Sequence, residues 1–456
     1  MHNKIKGKSF ISYMMKRLFF FISIIALLLS ACSDNDSFST DASYRLTFSA
    51  DTVRLDTLFS TVPSSTYTFW VFNKNANGVR IRTARLERGN QSGFRVNVDG
   101  VYLNPVATDF ELREGDSLRV FVEVTTHENL AADPQLVEDN LLFALESGVE
   151  QRINLRTYSW DAQKIESLQV TDDMTIVSDR PVVVYGTGIE VAKTATLTIK
   201  NTTLYFHGNA GIHVEGQLIA ENSLFRGDRL DHMFSYLPYD RVSGQWKGIS
   251  VAVKAPGCTL TDCEIHSAYT GLSCDSTTVT LTNTVIHNCR GFGLYAHDSE
   301  VSVTNCQMSN TLNDCLTLLG GTAKVDQTTL AQFYPFSAPR GAALRFAHTK
   351  QDVQLTCTNT LVTGYDADVV FGGVNEDGKP GYTFQNCILR TTEVTDETLF
   401  KDIIWEKSSD EIQGSKHFVL FDDDKLCYDF GIKEDTPAYE YSIGRKNNSA
   451  DKEKNN

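Results

Sequence analysis

The sequence predicts an all-β chain in which an antiparallel sandwich precedes a solenoid of stacked parallel strands. Three observations carry this. Residues 44–160 alternate apolar and polar side chains with period two between turn signals. From about residue 180 a polar–small–any–apolar unit recurs at a base interval of 21–22 residues. Between these units the chain is rich in Thr and Val and has no 3.6-residue period, so the repeating element is a strand and not a helix.

The chain begins with a different kind of segment. Lys16-Arg17 precede an apolar run from Leu18 to Leu29, too short to span a bilayer comfortably, so residues 1–31 read as a targeting segment. The run ends in Leu29-Ser30-Ala31-Cys32, which resembles the lipobox of bacterial diacylated lipoproteins. That resemblance implies export, cleavage before Cys32 and lipidation of its thiol. The following Ser33-Asp34-Asn35-Asp36-Ser37 is similar to the acidic surface-export signal of Bacteroidota lipoproteins, and residues 32–43 then form an acidic tether. No other run approaches the ~18 apolar residues of a membrane span. The expected location is the outer membrane or cell surface, with the chain held by its lipid.

Residues 44–160 contain the runs Thr66 to Phe72, Phe94 to Val98, Ser117 to Val124 and Arg152 to Leu155, separated by Asn77-Gly78, Asp99-Gly100, Gly115-Asp116 and Ser147-Gly148. Six or seven short strands in this span predict a β-sandwich. It resembles the Ig-like spacer domains of Bacteroidota lipoproteins, without a cysteine for the antibody-type disulfide. Trp70 and Phe72 are expected to pack in its core.

The recurring unit starts at Asn201, Asn222, Asp262, Asn283, Asn305, Gln327, Asn359 and Asn386, at intervals of 21, 40, 21, 22, 22, 32 and 27 residues. The 40-residue interval reads as one rung bearing a long loop. Rungs about 4.8 Å apart align like residues in columns, so the Asn amides can bond along the axis. On these residues the chain resembles the right-handed parallel β-helices of the pectate-lyase-like superfamily. The predicted fold is therefore an N-terminal Ig-like β-sandwich followed by a right-handed parallel β-helix solenoid. The helix would occupy residues 161–395 with a capping segment at its start, then a C-terminal cap at 396–445 and a frayed tail at 446–456.

Nine cysteines remain beyond Cys32. Cys263 and Cys306 share a column but sit two rungs, roughly 9–10 Å, apart, beyond the ~7 Å limit for a disulfide. No two cysteines share a column on adjacent rungs, so buried, reduced thiols are expected. No spacing suggests a metal set or a cofactor motif.

Two groups of residues are candidates for binding. The long loop carries Arg226, Asp228, Arg229, Asp231, Tyr236, Tyr239, Asp240, Arg241 and Trp246, a mixture suited to sugar faces and hydroxyls; its competing role is to cover a flank of the fold. The second group, Glu215, Asp275, Tyr295, His297 and Arg345, points outward by strand parity.

No catalytic set emerges. A glycosidase needs two carboxyls about 5–9.5 Å apart in a groove, and no such pair is visible. The net charge is −15, and without the basic first 31 residues 37 basic against 57 acidic residues leave −20. That balance argues against nucleic acid as a partner and mildly against a polyuronate groove. The leading reading is an envelope-anchored, surface-exposed lipoprotein whose β-helix binds glycan or another cell-surface component, with a polysaccharide or an envelope protein as partner. A polysaccharide lyase or other carbohydrate-active enzyme is the alternative, and a structural part of an envelope assembly the second.

Overall fold

A computed structural model describes residues 37–131 and 133–446. The targeting segment, Cys32, the start of the tether and residues 447–456 lie outside the described residues. The described chain forms two compact units, with Leu55–Ser65 and Thr125–Val137 grouping with the second, which otherwise begins at Thr157.

The first unit is a β-sandwich of two five-stranded sheets. One runs in the order Leu46–Phe48, Tyr67–Asn73, Ser117–Val124, Phe94–Val98 and Val101–Tyr102. The other runs Thr52–Phe59, Glu150–Trp160, Gln135–Leu145, Val79–Leu86 and Val106–Leu112. Ten strands thus replace the six or seven expected. Phe48 of one sheet meets Phe143 of the other with ring centroids 5.8 Å apart.

Trp70 corrects the sequence reading. It is 41% exposed, because the buried set of its strand is Phe69, Val71 and Asn73. Asn73 holds an inward position by donating through Nδ2 to the carbonyls of Asn77, Leu112 and Arg113. Its buried amide is fully employed, which offsets the cost of taking it out of water. Trp70 and the half-buried Phe72 therefore share the outward face, where the Arg119 guanidinium lies 5.7 Å from the Trp70 ring.

The second unit is a solenoid whose registered wall pairs are parallel. A first face stacks Thr196–Lys200, Gln217–Glu221, Gly257–Thr261 and Thr278–Thr282. A second stacks Thr203–Phe206, Leu224–Gly227, Glu264–His266, Val285–His287 and Gln307–Ser309. A third stacks Ile212–Val214, Trp246–Val251, Ala268–Asp275 and the start of Leu294–Thr304. Leu197, Ile199, Leu204, Phe206, Ile212 and Val214 show how each rung turns three apolar pairs into one continuous interior.

The corner between the first two faces explains the sequence repeat. All eight residues that open the unit, from Asn201 to Asn386, adopt left-handed backbone with φ between 45° and 54°. Asn and Asp tolerate this conformation better than other side chains, which is why they recur there. Ladder bonds join Asn222 to Asn201 (2.8 Å), Asn283 to Asp262 (2.9 Å), Asn305 to Asn283 (2.8 Å) and Asn386 to Asn359 (2.7 Å). The ladder breaks where chemistry requires it: Asp262 has no amide to donate to Asn222. Gln327 turns instead to the carbonyls of Ser442 and Gly444. Asn201, Asn222 and Asp262 are exposed and the other five corner residues half-buried, so the corner lies at the surface.

The small residue after each Asn also has one function. Thr202, Ser223, Cys263, Thr284, Cys306, Thr328, Thr360 and Cys387 each donate to the carbonyl two residues before them. Cysteine thus stands in for Ser or Thr as a small donor. All nine described cysteines are free, eight of them buried, and burial pushes the Cys289 and Cys315 thiols up to about 12.

Rungs begin earlier than the repeat suggests, because Gln163–Val170 and Met174–Val177 already pair in register with the wall. At the far end Phe384 and Phe400 stack at 5.3 Å, with Tyr382 and Trp405 beside them. The hairpin Phe418–Asp422 and Cys427–Ile432 does not close this end. It packs Phe418 and Phe430 on Ala331, Phe333, Leu361 and Ile388, forming a second core on the outer side of the wall. Residues 441–446 then run back along the corner, bonding Asn386, Gln327 and Asn305 in turn.

Candidate functional site

The long loop after Leu224–Gly227 is fastened to the wall through most of its polar groups. Arg226 reaches Asp240 at 2.6 Å and lies over the Tyr205 ring. Arg229 grips Asp231 with two bonds of 2.6 and 2.7 Å and covers the Tyr239 ring at 4.2 Å. Both Asp228 and Asp231 are buried. Asp228 meets Nδ1 of His207 at 2.7 Å, and Asp231 accepts the amide of Ser65 at 2.8 Å. Arg241 is half-buried in the turn Tyr239–Arg241, while Tyr236 stands 69% exposed and stacks on Phe234.

Trp246 is a correction: at 1% exposure it cannot offer its ring to a ligand. Strand parity turns it inward, where it stacks on Phe206 at 4.3 Å and donates Nε1–H to the carbonyl of His266. The loop is built as a cover.

Beneath it, His266 is buried against His287, with ring centroids 5.0 Å apart. Burial first, then His287 and Arg226, push its imidazole well below the ordinary range, against the opposing pull of Glu264 and Asp240. In the unfolded chain the imidazole takes up a proton near pH ~6.5, whereas in the fold it stays neutral far below that. The unfolded state therefore binds more protons below about pH 6.5. Stability should fall with pH in that window, by up to about 1.4 kcal/mol per pH unit from this group. Urea unfolding at pH 7, 6 and 5 should show a shallower loss in His266→Gln than in wild type; equal slopes would contradict this assignment.

The third face presents the second group. Its outward column runs His213, Ser250, Ser273, Tyr295, Thr317, Arg345 and Phe371, each in register with the next, although Thr317 itself is buried. Asp275 and His297 are adjacent one column over, and Nδ1 of His297 lies 3.2 Å from Oδ1 of Asp275. Bonds from Ser276 first, then from His297, hold the Asp275 carboxyl below its usual range. The structure brings Asp275, Tyr295 and His297 onto adjacent rungs and places Arg345 two rungs beyond Tyr295, past Thr317. Glu215 is exposed but belongs to the rung of His213, five rungs from Arg345, so it is not part of this group.

Sequence reasoning missed the residue that organises Arg345. Asp314, buried, receives Arg345 Nε at 2.7 Å and Nη2 at 3.1 Å. It also accepts Thr317 Oγ1 at 2.8 Å and the Ala342 amide at 2.6 Å. The guanidinium is thus fixed, with its pKa raised further by Asp314, and lies 5.0 Å from the ring of Phe371, which is 45% exposed. Asp298 was also missed; it accepts Thr349 and lies 3.7 Å from His297. Among the described residues, no group of three or more His, Cys, Asp or Glu is placed to hold a metal ion.

A family model described as right-handed β-helix region matches residues 165–330, which include the long loop and the rungs of Asp275, Tyr295 and Thr317. The second unit is a right-handed parallel β-helix. No curated protein matches the chain. Among solved structures it is similar to the E. coli chaperone DraB, at 16% identity over 26% of this chain and 55% of that one, with a TM-score of 0.18. It is also similar to the N-terminal domain of PorA, at 14% identity over 25% and 97% of the two chains, with a TM-score of 0.19. A family 123 glycoside hydrolase from Clostridium perfringens follows at 6% identity over 26% of each chain and a TM-score of 0.19. The chain spans about half the length of DraB. Likenesses of this size carry nothing about activity, and the β-helix stands on its own geometry.

Proposed function

We propose that the protein is an envelope-anchored, surface-exposed lipoprotein, held through Cys32, whose β-helix binds a glycan. In this reading the sandwich is an Ig-like spacer and the third face is the recognition surface. The observation that carries it is the placement of Tyr295, Arg345 and Phe371 in one register column, joined through buried Thr317, with Arg345 immobilised by Asp314. Aromatic rings offer apolar faces to sugar C–H groups, and a fixed guanidinium presents donors to hydroxyls at low entropic cost. Because Asp314 compensates the charge of Arg345, and the chain is acidic overall, a neutral glycan fits better than a polyuronate.

A carbohydrate-active enzyme is the second reading. It is favoured by the Asp275–His297 pair, in which the carboxylate engages one imidazole nitrogen and leaves the other for proton transfer. A glycan array on the full chain, run beside reducing-end and unsaturated-uronate assays, separates the two. Binding without product supports recognition alone. Product formation that disappears in His297→Ala would replace that reading with the enzymatic one.

A further inference from the structure

Two loops, residues 228–245 and 333–343, flank a cleft of about 400 Å³ on the β-helix. Met233, Leu237 and Val242 line it from the first loop, Tyr334 and Phe336 from the second, and Leu312 from an intervening turn. Ser243 Oγ and Tyr334 Oη, 2.8 Å apart, tie the loops together. The cleft is of the size that takes small molecules, and its lining is mostly apolar, with Ser243, Ser337 and a single charged residue, Arg290.

Arg290 differs from its neighbours. Arg226, Arg229, Arg340 and Arg345 each face a carboxylate within 4 Å. Arg290 is exposed, and among the described residues no carboxylate pairs with it. Its stem runs against Gly244, where an added Cβ would fall 2.8 Å from Arg290 Cδ, and Gly244 has φ +78°. A glycine thus makes room for the arginine at the cleft.

We infer that this cleft is a second ligand site, separate from the third face, for a small organic carboxylate carrying an aromatic body. The guanidinium fork matches a carboxylate in shape and charge and has no internal partner to displace. Met233, Tyr334 and Phe336 provide the polarisable and aromatic surface that receives a ring. Arg290 would supply the one charge in the cleft lining, complementary to the anion.

Isothermal titration of the full chain with 4-phenylbutyrate and with its neutral amide tests this without any variant. The acid should bind about tenfold more tightly than the amide. Arg290→Met, which keeps an apolar stem, should bring the acid down to the level of the amide, and Arg290→Lys should restore part of the preference. Glycan binding on the third face should be unchanged in Arg290→Met, so the two sites fail or stand separately. Equal affinities for acid and amide, a preference that survives Arg290→Met, or no binding of either probe would overturn the inference.

Discussion

Glu406→Gln should destabilise the C-terminal part of the β-helix by about 3–5 kcal/mol, the usual cost of removing one partner of a buried ion pair. Glu406 is buried and accepts four bonds: Arg390 Nη1 at 2.7 Å, His417 Nε2 at 2.7 Å, Thr363 Oγ1 at 2.9 Å and the Gly414 amide at 3.0 Å. Burial raises the pKa of such a group, yet His417 and Arg390 together outweigh it and hold the carboxyl below its usual range. With the charge removed, buried Arg390 keeps only neutral acceptors, the carbonyl of Asp366, Gln413 Oε1 and Ser408 Oγ. The Gly414–His417 turn leads directly into the hairpin on the outer wall. Hydrogen exchange should therefore show the amides of 418–432 losing protection before those of rungs near Asn222. Uniform loss, or none, would contradict a local fastening role.

Trp246→Ala should cost a similar ~3–5 kcal/mol through the cavity left beside Phe206. The loss arises in the wall and not in a ligand contact, so Trp246→Phe, which keeps a stacked ring, should recover most of it in thermal unfolding. If Trp246→Ala left stability intact but abolished glycan binding, the inward placement of this ring would be wrong.

How much of this was legible in the sequence depends on whether the controlling chemistry is local. The Asn ladder and the column of small residues could be read because they recur at a fixed interval, whereas the left-handed backbone and the bond to the carbonyl two residues back that explain them became visible only in the fold. The outward placement of Trp70 could not be read, since it follows from Asn73 pointing inward, and Asn73 is polar and is satisfied by carbonyls about 40 residues away. Asp314 escaped for the same reason: it looks like a solvent-facing acid until the next rung places Arg345 beside it, 31 residues later. The long loop was correctly located as a dense polar cluster. Composition alone does not separate a binding surface from a fastening, and only pairing of its arginines and carboxylates does.

The central claim, glycan recognition along the third face, is tested most directly by the double variant Tyr295→Ala/Phe371→Ala. Neither side chain is buried, so the fold should persist, as circular dichroism and the melting temperature will show. On a glycan array the wild-type chain should bind a set of neutral glycans, and the double variant should lose at least about tenfold in affinity for each. Unchanged binding of the same set by a folded double variant would contradict the account.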